Sequence, residues 1–177
     1  MKRLLFLLVL FLLLASKGYS QKFGYVDTNF ILSKMEEYKE AQTEIEKISL
    51  QWQEEIQNMY IEIDQMYNEF KAEEVLLTKE MKEERLAEIA KKENEVKDYQ
   101  KKVFGFEGLF FLKKQELMKP VQDKVFDSVE KVAKDNRLQI VFDKSGDLVM
   151  IYTDPIHDYT DYVLEDLGLG DDVDTIE

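Results

Sequence analysis

The 177 residues contain no cysteine, so neither disulfides nor thiolate metal sites hold this chain together. There are two prolines and seven glycines, which leaves long tracts with nothing to interrupt a helix. The single histidine, His157, has no nucleophile motif beside it, and no cluster at metal-ligand spacing exists. Positive charge is also short: 24 basic residues stand against 37 acidic ones, a formal net charge of −13. That excess argues against nucleic-acid binding, which needs cations to displace counterions from phosphates, and against docking on an anionic membrane surface. Long apolar runs are confined to Leu4–Leu14.

That one run has a specific layout. Lys2 and Arg3 precede it, and a short polar stretch from Ala15 to Ser20 follows, with the small residues Gly18 and Ser20 near its end. This is the three-part pattern of a secretory signal peptide over residues 1–20, cleaved near Ser20–Gln21. A membrane span needs roughly twenty apolar residues, about twice what is present. No cysteine follows the run, which excludes a lipid anchor there. Removing Lys2, Arg3 and Lys17 leaves 21 basic residues against 37 acidic ones in a mature chain of about 157 residues, enough for one domain. The expected location is outside the cytoplasm, with no stable membrane insertion after cleavage.

Gln21 to Thr28 carries Phe23, Tyr25 and Val26, which suit a short strand. From Asn29 the period changes. Tyr38, Ala41, Ile45, Ile48, Trp52, Ile56, Met59, Ile63, Met66 and Phe70 form a heptad-like stripe with one extra four-residue step at Trp52–Ile56, a stutter. Such a stripe needs a partner helix. The next segment supplies one: Thr78 is placed to cap a new helix, and Leu86, Ile89, Val96, Tyr99 and Val103 carry a sparser stripe. A turn near residues 74–79 then folds the two into an antiparallel hairpin with arms on the order of 60 Å. Gly105 and Gly108 interrupt the return helix, which resumes at Leu109 and runs to about Asn136, with a kink expected at Pro120.

Gln139–Asp143 and Leu148–Tyr152 are β-type runs, and Lys144–Asp147 between them carries turn chemistry, so a β-hairpin is expected. A last helix spans about Thr160–Leu167, with Thr160 as N-cap and Gly168 as stop. The fold class is therefore α+β: a small β-sheet body, residues 21–35 plus 119–168, with a helical-hairpin (coiled-coil) arm over 36–118 and an acidic tail at 169–177. A body of about 65 residues is marginal without disulfides, and three short strands leave open edges, so self-association is expected.

The strand Lys22–Thr28, the charged hairpin, the helix Val121–Ala133, the run Ile140–Ser145 and the closing Asp161–Leu164 follow one another in an order that resembles the Skp/OmpH family of periplasmic chaperones. The interruption at Phe104–Gly108 resembles members from Bacteroidetes-type bacteria. The resemblance implies a homotrimer whose chains share a β-barrel body and whose hairpins project as tentacles around a cavity. It implies an ATP-independent periplasmic holdase for unfolded outer-membrane proteins, without enzyme activity, cofactor or metal. The best-known members are basic, whereas this chain is acidic, so apolar contact is expected to grip clients while like charge keeps the empty arms apart.

Candidate client-binding residues are Tyr60 and Tyr67, one position off the main stripe, together with Met59, Met66 and Phe70. Methionine is adaptable and tyrosine amphipathic, which suits promiscuous contact; seam packing is the competing reading for the stripe residues. Phe104, Phe106, Phe110, Phe111 and Leu112 are read as packing at the root of the arm. Phe23, Tyr25, Val26, Ile140, Phe142, Val149 and Ile151 are the candidate oligomerisation residues of the body. Asp143, Ser145 and Asp147 resemble the start of an EF-hand, but the glycine is misplaced and no Glu closes the loop, so a plain turn is expected. The alternative to a holdase is a structural or adaptor coiled-coil protein of the cell envelope.

Overall fold

The computed structural model describes residues 21–146 and 149–170. The expected signal peptide, most of the acidic tail, and Asp147 and Leu148 lie outside the described residues. The elements are β1 (Phe23–Val26), α1 (Thr28–Lys34), α2 (Glu36–Glu73), α3 (Lys79–Phe104), α4 (Leu109–Asp135), β2 (Ile140–Asp143) and α5 (Thr160–Asp166), with 3-10 turns at Glu74–Leu76 and Pro155–His157. They divide into two compact units, one holding residues up to Ile31 and from Asp127 onward, the other Leu32–Phe126.

In the first unit β1 and β2 pair in parallel, with Phe23 opposite Ile140, Gly24 opposite Val141, Tyr25 opposite Phe142 and Val26 opposite Asp143. On its other edge β1 meets a single bridge at Asp158, where the Tyr159 N–H donates to the Tyr25 carbonyl at 2.9 Å. This corrects the expected β-hairpin: Val149–Tyr152 carry no strand, and Ile140–Asp143 pair with the start of the chain instead. The reason lies at Asp143. Its carboxylate accepts hydrogen bonds from Thr28 N (3.2 Å), Thr28 Oγ1 (2.6 Å), Ser145 N (3.0 Å) and Ser145 Oγ (2.7 Å). The turn after β2 is spent on the N-terminus of α1, where Asp27 also caps Phe30 N at 2.9 Å.

Burial pushes the Asp143 carboxyl up, but hydrogen bonds from Thr28 and Ser145 outweigh it and hold the group below its ordinary value. A carboxyl depressed by folding stabilises above its unfolded value, and that contribution is lost as pH falls through the folded one. Denaturant melts from about pH 7 down to about pH 3 are expected to show this loss beginning near the ordinary carboxylate range, about pH 4. Asp143→Asn should lower stability at neutral pH and flatten that part of the curve; an unchanged acid slope would contradict the assignment.

The second face of the sheet is the packed one. Val26, Ile31, Val132, Val163 and Leu164 are buried. A Cβ on Gly24 would lie 2.4 Å from the Tyr159 ring and 3.1 Å from Leu138, so only glycine lets that ring close over β1. The buried Ser128 hydroxyl donates to Asp166 at 2.8 Å, and Lys131 pairs with the same carboxylate, which ties α5 to α4. Thr160 is not the expected cap of α5. It is buried; its N–H and hydroxyl donate to the Asp158 carboxylate at 3.0 and 2.6 Å, and its oxygen accepts from Asp27 N at 3.0 Å. The stop at Gly168 is as expected, with Leu169 N–H closing on the Leu164 carbonyl at 2.8 Å.

In the second unit α2 and α3 form the expected antiparallel hairpin. Partners run in opposite directions: Tyr60 with Gln100, Tyr67 with Glu93, Glu73 with Arg85. Its core is Ile56, Ile63, Ile89 and Val96, two heptad pairs facing each other, with Met59, Met66, Tyr67, Phe70 and Tyr99 packed around them. The turn falls at Glu74–Leu76, and Thr78 caps α3 by accepting from Met81 N at 3.3 Å. The outgoing helix has 38 residues, about 57 Å, whereas α3 has 26, about 39 Å, before the glycine break. At the stutter Trp52 leaves the α2–α3 seam. It meets Phe104 and Phe110 edge-on, at centroid distances of 6.4 and 6.5 Å. The break is a tight elbow rather than a loose loop: Gly105 N bonds Lys101 O at 2.8 Å, and a Cβ on Gly108 would sit 2.5 Å from the Val103 carbonyl. Helix α4 continues through Pro120, which withholds one intrahelical donor without ending the helix.

Candidate functional site

Two exposed surfaces concentrate apolar chemistry, one in each unit. The strand register places Phe23, Tyr25, Ile140 and Phe142 on the same side of the sheet, because side chains alternate along a strand and paired residues share a face. That side opens into a cleft of 350 Å³ lined by Phe23, Tyr25, Phe142, Met150, Tyr152 and His157. The Phe23 and His157 rings lie 4.7 Å apart. Phe23, Ile140 and Phe142 are substantially exposed, and Val149, Ile151, Tyr152 and Ile156 are almost bare, at 85, 97, 83 and 75 %. A sheet of two strands whose far edge is unpaired among the described residues, with an apolar face in solvent, is a surface that calls for a cover.

Of the expected body residues, the structure brings Phe23, Tyr25, Ile140 and Phe142 together. Val26 is on the opposite face, 3 % exposed, in the unit's own core. Val149 and Ile151 stand in solvent outside any strand, while their neighbours Met150 and Tyr152 line the cleft. The continuous apolar run 148–152 is visible in the sequence; which of its residues meet the cleft is not.

On the arm, Met59, Met66, Tyr67 and Phe70 belong to the seam, packed against the isoleucine–valine cluster. Tyr60 is the most open of the five, at 41 %. Both tyrosines reach across the hairpin: Tyr60 donates to Gln100 Oε1 at 3.4 Å and Tyr67 to Glu93 Oε1 at 3.2 Å. On the other flank Tyr99 donates to Glu55 at 2.5 Å. These hydrogen bonds to carboxylates hold the Tyr67 and Tyr99 phenols protonated, above their ordinary value. The ion pairs along the arm are exposed and contribute little individually.

The aromatic segment after α3 divides. Phe104 and Phe110 pack with Trp52, as expected for the root of an arm, but Phe106 is 96 % exposed and Phe111 and Leu112 are half exposed. The hairpin tip, expected only as a turn, also bares Val75 and Leu76. Among the described residues no group of three or more His, Cys, Asp or Glu is arranged to hold a metal ion, and no helix is long and apolar enough to cross a membrane.

A long helical hairpin inserted between the two strands of a small α/β unit, with apolar surface left open on both, defines a class of protein built for contact with other chains. The chain matches the family described as Outer membrane protein (OmpH-like) over residues 22–167, and it belongs to that family. It is 31 % identical over 155 residues to an uncharacterized protein of Aquifex aeolicus (strain VF5), covering 88 % of this chain and 91 % of that protein. It also resembles a crystal structure from Caulobacter crescentus CB15 designated an outer membrane chaperone (OmpH-like). The TM-score is 0.66 and the identity 14 %, over 84 % of each chain, a likeness of fold.

Proposed function

We propose that this protein is an ATP-independent periplasmic holdase that binds unfolded outer-membrane proteins between its helical arms and keeps them from aggregating. Family membership supports a chaperone role, and the observation that carries the rest is apolar side chains left in solvent on the arm: Leu50, Tyr60, Ile61, Val75, Leu76 and Phe106. Single weak contacts of this kind become useful when several act on one client at high effective concentration. The active form in this reading is a homotrimer whose body buries the open sheet face and the Val149–Tyr152 segment, and the chain reaches the periplasm through its signal peptide, which is cleaved near residue 20. A two-stranded sheet is too small to be stable by itself, which supports shared burial.

Purified protein, mixed at about one trimer per client chain, is expected to suppress the light scattering of a urea-unfolded outer-membrane barrel diluted into buffer, with no nucleotide present. Scattering indistinguishable from buffer alone would remove the holdase reading. Recovery of one folded partner from periplasmic extract, in place of a varied unfolded set, would favour the adaptor.

A further inference from the structure

The charge on the arm is not evenly shared. Helix α2 carries eleven acidic residues and three basic ones, with none of the basic ones between Lys47 and Lys71, whereas α3 carries seven acidic and eight basic. The α2 acids in that gap are Glu54, Glu55, Glu62, Asp64 and Glu69, and none has an ion-pair partner among the described residues. Two shallow grooves follow one flank of α2, marked by Leu50, Gln53, Gln57, Ile61, Asp64 and Asn68 at steps of three and four. The groove nearer the hairpin tip, 420 Å³, is lined by Tyr60, Ile61, Tyr67 and neutral amides, with Asp64 and Glu93 as its charged groups and no basic residue.

We infer that this tip-side groove of α2 selects client segments in which lysine or arginine is interleaved with apolar residues, an inference that rests on the holdase reading above. A long basic side chain fits it in two parts. Its aliphatic stem lies along Ile61 and the tyrosine rings, whose faces attract cations, and its head group meets Asp64 and the free oxygen of Glu93. Gln57, Gln65 and Asn68 offer both donors and acceptors, so they satisfy an extended client backbone in either direction. An anionic segment meets the same acids with repulsion, and the acidic α2 of a second copy is turned away for the same reason. The negative charge of the arm is then a filter on clients as well as a guard on the empty arms.

The test uses the full-length mature protein and two fluorescein-labelled, unstructured 20-residue peptides of identical apolar content, one with lysine and one with glutamate at every charged position. Fluorescence anisotropy is expected to show about tenfold tighter binding of the lysine peptide at low ionic strength, a preference that shrinks as salt screens it. The double variant Asp64→Asn/Glu93→Gln, whose helix content is checked by circular dichroism, should reduce the preference to within about twofold, since both replacements are exposed or retain the Tyr67 acceptor. Equal binding of the two peptides, tighter binding of the glutamate peptide, or a preference that survives the double variant would overturn the inference. Those outcomes leave the holdase reading standing when barrel aggregation is still suppressed. Loss of suppression together with no binding of either peptide would remove the holdase reading itself.

Discussion

Phe142→Glu is expected to convert the protein to a monomer, whereas the unsubstituted protein is expected to give about three times the mature chain mass by light scattering behind size exclusion. Phe142 stands with Phe23, Tyr25 and Ile140 on the open side of the sheet and lines the cleft there. It is 36 % exposed, so a charge at this position is tolerated by the isolated unit and becomes costly only when another chain covers the face. An unpaired carboxylate buried in an interface costs several kcal/mol, enough to dissociate an assembly held by short strands and a few aromatics. Val26→Glu is the matched contrast. At 3 % exposure on the opposite face, it is expected to unfold the unit rather than merely separate chains. A native protein that runs as a monomer at micromolar concentration, or a Phe142→Glu variant that keeps the full mass, would contradict the shared body.

Ile89→Ala is expected to destabilise the arm by about 2–4 kcal/mol, the usual cost of emptying a buried aliphatic site, while Leu86→Ala changes it by less than about 1 kcal/mol. Both residues lie on the α3 stripe, but Ile89 is 2 % exposed within the Ile56–Ile63–Val96 cluster and Leu86 is 44 % exposed. Neither fills a turn or a cap, so the difference isolates packing. Urea titrations followed by circular dichroism would show the Ile89→Ala midpoint well below that of the unsubstituted protein. Equal midpoints for the two variants would mean that the seam is not what holds the hairpin.

The helical half of the molecule was legible because its signals are local. A stripe at steps of three and four, a threonine before a charged run, and glycines at 105 and 108 act within one or two helical turns. The structure returns the hairpin, its capped turn and its break where those residues stand. Tyr67 was less accessible. One position off the stripe, it still reaches the core because a long aromatic on the seam's flank bends inward to a partner on the facing helix, Glu93, whose proximity depends on hairpin register. The β part departs from the expected hairpin for a related reason. The short apolar, β-branched and aromatic runs in Gln139–Asp143 and Leu148–Tyr152 report that each can be extended, but carry no information about which strand accepts its hydrogen bonds. Nearness in sequence suggested a hairpin; the parallel partner lies more than a hundred residues away.

What the sequence by itself determined is the acidity, the absence of cysteine, the helical period and its interruptions, and through the order of those segments the resemblance to the OmpH-like family. These are properties of composition and of neighbours within a turn or two, where steric preference and hydrophobic spacing act directly. Only the tertiary structure decided that β1 and β2 lie parallel, that Asp143 spends its carboxylate on the N-terminus of α1, and that the exposed Phe23, Ile140 and Phe142 share one side of the sheet with the buried Tyr25. Each of those depends on a contact closed across more than a hundred residues. Such a contact is chosen by the packing of intervening helices and by competition for backbone and side-chain hydrogen bonds.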